Sequence, residues 1–353
     1  MSIPRIAPAA AVLLLLVGSL APDVAAQRAR AAAVDTPRFR LTALPATGAY
    51  KSMAAAINEQ GEIAGTTTLP GELPRPAFWS APDGEPQLAT GPASDYAEVL
   101  DLGASGLVAG VSYGSAQAGP FTWRPGRDVE PVADSAGVTC ESVYAINARD
   151  ALVGTGVFPG LGARPALWVH GVAQDLGLVA GDDEGAAYAT SEAGHIVGRS
   201  GSQAARWFQG GVERLGLAGT TSSAAVGVND RGEAVGSAVL HGNDPVPVLW
   251  RGVNGLPLAM LGGTSGAAAA INARSWIVGS TEADPGSPIF GGLHATLWLD
   301  EQALDLNTLT IDLPDNALLV EATDVNDAGQ IVGWATNLDG QLSRAFLLEP
   351  VAP

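Results

Sequence analysis

Four carboxylates interrupt segments whose counterparts elsewhere in the chain are rich in alanine, and they are the residues best suited to acid–base chemistry. They are Glu98 and Asp101 in one segment, and Glu321 and Asp324 in another. Two carboxyl groups beside a glycosidic bond can serve as general acid and as base or nucleophile. A polysaccharide hydrolase or lyase is therefore one functional alternative. It requires carboxylates of the two segments to approach within roughly 10 Å.

Long polar side chains at one recurring position are candidates for binding an anionic or carbohydrate ligand. Each stands four residues before a recurring tryptophan, or before the leucine that replaces it near the end of the chain: Arg75, Arg164, His294 and Arg344. A ring of such donors can hold carboxylate, phosphate or hydroxyl groups. The alternative is that each side chain bonds loop carbonyls within its own blade.

Trp276 and Trp334 occupy positions where the related segments carry polar residues. We expect both rings to be partly exposed, because polar residues at the same place in a repeat indicate contact with water. They should lie on opposite faces, Trp334 on the face that carries loops of variable length. They complete the candidate ligand-binding residues, and ordinary half-exposed aromatics are the alternative.

Other kinds of catalytic or metal chemistry have little basis in the sequence. Cys140 is the only cysteine, which excludes an intramolecular disulfide and a thiolate cluster. The four histidines stand at unrelated positions, and we find no nucleophile elbow, phosphate-binding loop or zinc motif. The sequence therefore predicts no cofactor and no metal site, and it favours a non-enzymatic protein, with the polysaccharide hydrolase or lyase kept as the alternative.

An apolar run, a turn, an apolar pair and a glycine recur along the chain at intervals of roughly 45 residues. The first copy is AAAINEQGEIAG and the last is ATDVNDAGQIVG. The seven copies end at Gly65, Gly110, Gly154, Gly198, Gly236, Gly279 and Gly333. The turn follows a known pattern, because asparagine bonds back to the chain and glycine supplies a positive φ.

Each repeat contains four short β segments, and the third ends at a position occupied by tryptophan or leucine. The aromatic members are Trp79, Trp123, Trp168, Trp207, Trp250 and Trp298, and Leu348 takes the last place. Six indoles at one structural position are better explained as core between neighbouring sheets than as sugar-stacking platforms. Small residues dominate the first segment, which we place closest to a central axis.

Four-stranded units of this length are typical of a propeller, and the sequence predicts a seven-bladed β-propeller of four-stranded blades. The last copy ends before its fourth strand, and residues 38–48 have the character of that missing strand. An N-terminal strand that completes the last blade would close the ring and remove exposed edges. An open β-solenoid is the alternative, although it would need caps.

The repeat resembles the HAF family of extracellular repeats. The resemblance is carried by A-I-N-x-x-G-x-I-V-G and by the H-A-x-L-W segment from His294 to Trp298, with another form of that segment from Arg344 to Leu348. It covers about residues 50–353, and several copies lack the polar residue that begins the second segment. The resemblance implies export and a β-repeat fold, and it supplies no catalytic residues.

The N-terminal residues have the pattern of a secretory signal peptide. Arg5 precedes an apolar run, and Val24-Ala25-Ala26 offers a small-residue cleavage site. The run is too short to cross a bilayer, and no later segment is long enough. The predicted organisation is a signal peptide at 1–26, a linker at 27–37 and the propeller at 38–353, with repeats near 50–92, 93–136, 137–181, 182–219, 220–263, 264–310 and 311–353.

Charge narrows the range of partners. The chain has 36 Asp plus Glu against 18 Lys plus Arg, a net charge of −18. This argues against nucleic acid or anionic lipid as a partner, because phosphate binding needs clustered cations. We therefore expect a secreted or periplasmic monomer that binds carbohydrate or protein at its variable-loop face, as a binding or scaffold module.

Overall fold

The computed structural model describes residues 36–46, 48–90, 96–114, 118–242, 244–283, 285–287, 290–337 and 343–351. The predicted signal peptide and all but the end of the predicted linker lie outside these residues. The described chain is almost wholly β-structure, with a helical turn α1 (Leu306–Leu309) and a 3₁₀ turn at 290–292. Within this part of the chain, no helix is both long enough and apolar enough to span a bilayer.

A leading strand is followed by repeats of four strands. The leading strand is β1 (Arg38–Ala43). The first repeat holds β2 (Lys51–Ile57), β3 (Ile63–Thr68), β4 (Arg75–Trp79) and β5 (Gln87–Leu88). The second holds β6 (Tyr96–Leu102), β7 (Val108–Tyr113), β8 (Gly119–Trp123) and β9 (Glu130–Pro131).

The third, fourth and fifth repeats keep this order. The third holds β10 (Thr139–Ile146), β11 (Leu152–Phe158), β12 (Gly162–Val169) and β13 (Val172–Asp175). The fourth holds β14 (Gly185–Thr190), β15 (Ile196–Ser200), β16 (Gln203–Phe208) and β17 (Gly211–Arg214). The fifth holds β18 (Thr220–Val228), β19 (Ala234–Leu240), β20 (Pro245–Arg251) and β21 (Asn254–Pro257).

The last two repeats differ from each other in strand number. The sixth holds β22 (Gly266–Ile271), β23 (Ile277–Glu282), β24 (Leu293–Leu299) and β25 (Gln302–Asp305), and α1 and β26 (Thr310–Ile311) follow it. The seventh has the three strands β27 (Ala317–Val325), β28 (Ile331–Asn337) and β29 (Ser343–Val351).

The expectation of seven four-stranded blades is wrong. Five blades are separate four-stranded sheets, formed by β6–β9, β10–β13, β14–β17, β18–β21 and β22–β25. The first and last repeats instead share one nine-stranded sheet, which also contains β1 and β26. The described structure is thus an all-β propeller with five blades of four strands.

Strand pairing at the junction of the first and last repeats explains this merger. A parallel bridge between Lys51 and Ser343 joins β2 to β29. Along the edge of β29 that faces away from β28, β1 pairs antiparallel from Arg38–Val351 to Ala43–Phe346, and β26 pairs parallel with β1. The leading strand is therefore an internal strand of a larger sheet, and not the outer strand of a four-stranded blade.

The first strands of the repeats form the innermost layer. In chain order they are β2, β6, β10, β14, β18, β22 and β27; each contacts the next, and β27 contacts β2. Each carries a β-bulge near its end, as between Ala54 and Ala56 or between Ala322 and Asp324. The inner layer is therefore closed around a central axis, and the bulges bend its strands.

The repeated glycine in the second strand follows from this bulge. At Gly65, a Cβ atom would overlap the carbonyl oxygen of Met53, and at Gly333 it would overlap that of Glu321. Only glycine lets the two backbones approach this closely.

The hydrophobic core lies between neighbouring sheets. One cluster joins Ala64 and Phe78 of the first repeat to Val99 and Trp123 of the second. The six recurring tryptophans are at most 3% exposed, which confirms the prediction that they form core. Because burial of a large aromatic ring removes much apolar surface from water, these rings hold each sheet against the next.

Candidate functional site

The two ends of the ring are built differently. We call one end the turn face, because it carries the turns between the first and second strands, at 58–61, 103–106, 147–150, 191–194, 229–232, 272–275 and 326–329. The opposite end, the loop face, carries the loops between the second and third strands and the connections between repeats.

Buried asparagines link neighbouring repeats on the turn face. The Nδ2 of Asn272 donates to the carbonyl oxygen of Asn326 at 2.9 Å, and the Nδ2 of Asn326 donates to that of Asn58 at 3.1 Å. Asn229 and Asn58 make the same kind of bond to the next repeat. The Oδ1 of Asn272 also accepts the backbone N–H groups of residues 274 and 276 in its own turn, and those of Asn58 and Asn229 accept two such groups in the same way. We call these contacts asparagine stitches.

Acidic side chains in the same turns add a second set of links. Asp327 accepts the backbone N–H of Ala273 at 2.7 Å, and Glu59 accepts that of Asp327 at 3.0 Å. Asp230 and Glu192 accept the N–H of the preceding turn in the same way. The sequence indicated that these residues form turns, but bonds between repeats depend on ring geometry and were missed.

Asp101 and Asp324 occupy the same place in their strands, directly after the bulge. The two oxygens of Asp101 accept N–H groups from Leu102 and from Ile146 of the next inner strand, both at 2.8 Å. Asp324 accepts from its own neighbour at 2.8 Å and from Ile57 at 2.9 Å. Each carboxylate thus satisfies free N–H groups on the unpaired edges of two inner strands.

The same two carboxyls have perturbed proton affinities. Burial raises the pKa of Asp101 to about 6 and that of Asp324 to about 7. Repulsion from the Asp101 carboxylate contributes to the rise of the Asp324 pKa. The two residues belong to the second and last repeats, so this repulsion acts between repeats that are not adjacent in the ring.

Glu98 and Glu321 have partners of their own. Glu98 accepts the hydroxyl of Tyr96, and Glu321 accepts the indole N–H of Trp334 at 3.0 Å. Burial raises the pKa of Glu321. Of the four predicted carboxylates, Asp101 and Asp324 therefore bond to backbone N–H groups of the inner strands, and Glu98 and Glu321 bond to aromatic side chains.

Two tyrosines lie on the inner strands of the third and fourth repeats. The rings of Tyr144 and Tyr188 meet edge to face with centroids 5.0 Å apart. Arg199 donates to the Tyr188 hydroxyl at 3.1 Å and pairs with Glu184 at 2.9 Å. The inner layer is therefore acidic in the second and last repeats and aromatic in the third and fourth, where Arg199 of β15 bonds to Tyr188.

Three of the four predicted donors pair with a carboxylate of their own repeat, and the fourth bonds outside its repeat. Arg75 pairs with Glu72 at 2.8 Å, Arg164 with Asp175 at 3.3 Å, and His294 Nδ1 lies 2.8 Å from Asp305. Arg344 donates to the carbonyl oxygen of Ala49 at 2.8 Å. Carboxylate partners, and a carbonyl outside the repeat, differ from the loop carbonyls of the same blade that the alternative expected, and a ligand at these donors stays a prediction.

The two unusual tryptophans differ from each other. Trp276 is half-buried, its ring 4.4 Å from the Arg274 guanidinium and edge-on to Phe39. Trp334 is only 7% exposed, so the expectation that it would be partly exposed is wrong. Its indole N–H donates to the Glu321 carboxylate inside the sheet. The polar residues at the same position in other repeats gave no sign of that partner.

In the described connecting segments of the loop face, all the charged side chains are carboxylates, and none is a lysine or arginine. The set comprises Glu72, Asp134, Asp182, Asp183, Glu184, Asp244, Asp312 and Asp315. The turn face, by contrast, mixes acids with arginines such as Arg149, Arg231 and Arg274. Among the described residues, no group of three His, Cys, Asp or Glu side chains is arranged to hold a metal ion.

Comparisons with known proteins support the architecture. No protein-family model and no curated protein sequence matches the chain. A solved structure of YCF48 bound to D1 peptide is similar at a TM-score of 0.51 and 14% identity, and covers 91% of this chain and 97% of that chain. The chain is a β-propeller.

Two other solved structures are less similar. TolB from Acinetobacter baumannii matches at 13% identity and a TM-score of 0.45, over 82% of this chain and 63% of that chain. This propeller therefore spans less than two thirds of the TolB chain. A gluconolactonase from Xanthomonas campestris matches at 13% identity and a TM-score of 0.38, over 90% of this chain and 95% of that chain.

Proposed function

We propose that this propeller is an exported binding or scaffold module whose ligand meets the loop face. The observation that carries the proposal is the difference between the two faces. Repeated asparagine turns bond across repeats on the turn face, whereas the loop face carries connections that differ in length and content. Recognition residues commonly lie on variable loops held by a rigid scaffold.

A peptide or protein segment is the first candidate for the ligand, and a surface carbohydrate is the second. YCF48, which has a similar fold, is described as bound to D1 peptide. Propellers can present such ligands with a broad end surface made of many short loops.

Export and the HAF resemblance belong to the same proposal. The charged, apolar and small-residue pattern of residues 1–26 supports secretion or delivery to the periplasm. The repeat motif supports membership of the HAF family, for which an extracellular location is the implied setting. Edman sequencing of the exported protein should find Gln27 at the new N-terminus.

The binding proposal can be tested with matched loop replacements in one repeat. Residues 69–74 lie on the loop face and 80–84 on the turn face, and each is replaced by a Gly-Ser segment of equal length. Both variants are applied with the native chain to a glycan array and an array of overlapping peptides. Loss of captured glycans or peptides only with the 69–74 variant supports the proposal; equal capture by all three, or loss only with the 80–84 variant, contradicts it.

Acid–base catalysis on polysaccharide is a second candidate, because Asp101 and Asp324 are electrostatically coupled and have raised pKa values. A group that titrates near neutral pH is suited to proton transfer. If this function holds, release of reducing ends from a polysaccharide panel should disappear in Asp101→Asn and in Asp324→Asn. Release that persists in both folded variants rejects these residues as the catalytic pair.

A further inference from the structure

We propose that Tyr144, Tyr188 and Arg199 form a binding site for one uncharged sugar ring beside the central axis. The proposal goes beyond the loop-face ligand considered above, because these residues lie on the strands β10, β14 and β15 and not on variable loops. It depends on contacts within residues 139–201, a part of the chain that the structure describes without a gap.

The two tyrosines are neighbours because both occupy the bulge of an inner strand. The bulge of β10 leaves Tyr144 without a partner in register on β11, and the bulge of β14 does the same to Tyr188 on β15. Their rings meet edge to face with centroids 5.0 Å apart, and both residues are half-buried. The other repeats carry aliphatic residues or threonine at this position: Ala55, Leu100, Val226, Ala269 and Thr323. Among the bulged residues of this position, aromatic rings therefore stand on one side of the axis only.

Arg199 adds hydrogen-bonding groups to this ring pair. Its Nε donates to the Tyr188 hydroxyl at 3.1 Å, and its Nη1 donates to Glu184 at 2.9 Å and to the carbonyl oxygen of Gly201 at 2.7 Å. These bonds use three of the five N–H groups of a guanidinium, and the two on Nη2 are not among them. The Arg199 side chain is 21% exposed and that of Glu184 is 48% exposed. A donor and an acceptor that solvent can reach thus lie side by side next to Tyr188.

A sugar hydroxyl matches such a pair of groups. Each hydroxyl both donates and accepts, so it can bond to Arg199 and Glu184 together. One face of a pyranose ring consists of C–H groups and is apolar, so it can lie against a tyrosine ring. Ligand sites commonly combine aromatic side chains with a few convergent polar groups in this way.

Charge favours a neutral ligand at this site. The charged residues of β10, β14, β15 and the connection that enters β14 are the acids Glu141, Asp182, Asp183 and Glu184 and the cation Arg199. An anionic ligand meets net repulsion from the four acids, and a cationic ligand meets the Arg199 guanidinium itself. An uncharged hexose avoids both costs.

Saturation-transfer NMR on the intact chain tests the proposal with glucose, galactose and mannose. Each hexose is compared with its own uronate, which carries a carboxylate on the same ring. We expect at least one hexose to receive saturation from the protein at its C–H protons. Titration should show that the uronate of this hexose binds at least about tenfold more weakly, since tenfold corresponds to about 1.4 kcal/mol.

Substitutions taken from other repeats remove the site with little change to the fold. Tyr144→Leu/Tyr188→Val introduces the residue types that the second and fifth repeats carry at the bulge. Arg199→Ser introduces the residue type found at the same register position in Ser237 and Ser280. Each variant should weaken hexose binding by about tenfold or more.

Arg214→Ser is the matched control for the arginine. Arg214 also pairs with an acid of the fourth repeat, Asp182 at 2.9 Å, but it lies on the outer strand β17. This variant should bind the hexose like the native chain.

Three results would overturn the proposal: no saturation transfer to any of the hexoses, a uronate that binds as tightly as its hexose, or native affinity in either site variant. Thermal melting followed by circular dichroism shows whether the double variant is folded. If it is not folded, Arg199→Ser decides the question alone.

The result can be separated from that of the loop-face proposal. The chain with residues 69–74 replaced should bind the hexose like the native chain, because that loop belongs to the first repeat. If array ligands require residues 69–74 but no hexose binds, the loop-face function stands and the inner sugar site is rejected.

Discussion

The turn face and the loop face of this propeller use polar groups for opposite purposes. On the turn face, asparagine and acidic side chains bond to the backbone of the neighbouring repeat, so polar chemistry links repeats. On the loop face, the charged pairs mostly stay within one repeat, as in Arg75 with Glu72 and Arg164 with Asp175. The first arrangement fixes the ring, and the second leaves its loops independent of one another.

This difference shows how the loops of a repeat protein can vary in sequence while its ring stays closed. Buried polar groups need partners, and the stitches provide them at Asn58, Asn229, Asn272 and Asn326. The loops contribute less to closure and can therefore change in length and charge. The four predictions below test how strictly the two faces divide these roles, and all compare free energies of unfolding.

The largest effect should come from Trp334, in the middle of β28, whose ring belongs to the core. Trp334→Ala should lower the free energy of unfolding by about 3–5 kcal/mol, because it leaves a cavity and an unpartnered Glu321 carboxyl. Arg344→Ala removes one bond to a loop carbonyl and should cost no more than about 1 kcal/mol. Urea denaturation checks both variants, and similar losses would show that Arg344 also supports the core.

The next effect tests an asparagine stitch. Asn272→Ala deprives two turn N–H groups and the Asn326 carbonyl of their partners, which should cost about 2–4 kcal/mol. The loop-face control Asp183→Asn should stay within about 0.5 kcal/mol. If the Asn272 variant is as stable as the control, the stitches do not hold the ring.

A smaller effect concerns pH. The pKa of Asp324 is raised to about 7 in the fold, so the folded state holds a proton that the unfolded chain releases near pH 4. The free energy of unfolding therefore holds its full value with respect to Asp324 below about pH 4, and it falls as pH rises toward 7. Asp324→Asn should reduce this loss by about 1–2 kcal/mol, after allowance for solvent screening. Denaturation from pH 4.5 to 7.5 measures the difference in slope, and parallel curves would contradict it.

The smallest effect compares exposed acids on the two faces. Asp327→Ala removes the acceptor for the Ala273 N–H and should cost about 0.5–1 kcal/mol. Asp315→Ala on the loop face should change stability by less than about 0.5 kcal/mol. Equal effects of the two changes would mean that the acidic links add nothing to closure.

Local sequence pattern was sufficient to predict the β-propeller fold, the turns and the tryptophan core. Apolar periodicity and Asn–Gly spacing depend on neighbouring residues, so they can be read from one repeat. The number of four-stranded blades was wrong, because the parallel bridge from Lys51 to Ser343 and the insertion of β1 between β29 and β26 depend on how the ends of the chain meet.

The candidate site could be predicted only in part. Sequence comparison between repeats identified Asp101 and Asp324 as departures from alanine, and the structure couples them. It could not show that Glu321 partners Trp334, because that contact joins two strands of one repeat at positions where the other repeats carry different residues. Bonds such as Asn326 to Asn58 link residues far apart in sequence and appear only once the ring is closed.

Native-state hydrogen exchange tests the division between the faces most directly. The N–H groups of Trp276 and Gln330 bond to stitch asparagines at 2.9 and 3.0 Å, while those of Glu72 and Leu161 make 3.0 Å bonds within loop-face turns. If the turn face closes the ring, the first pair should exchange only with free energies near that of global unfolding, and the second pair through small local openings. Equally fast exchange of both pairs would contradict the account.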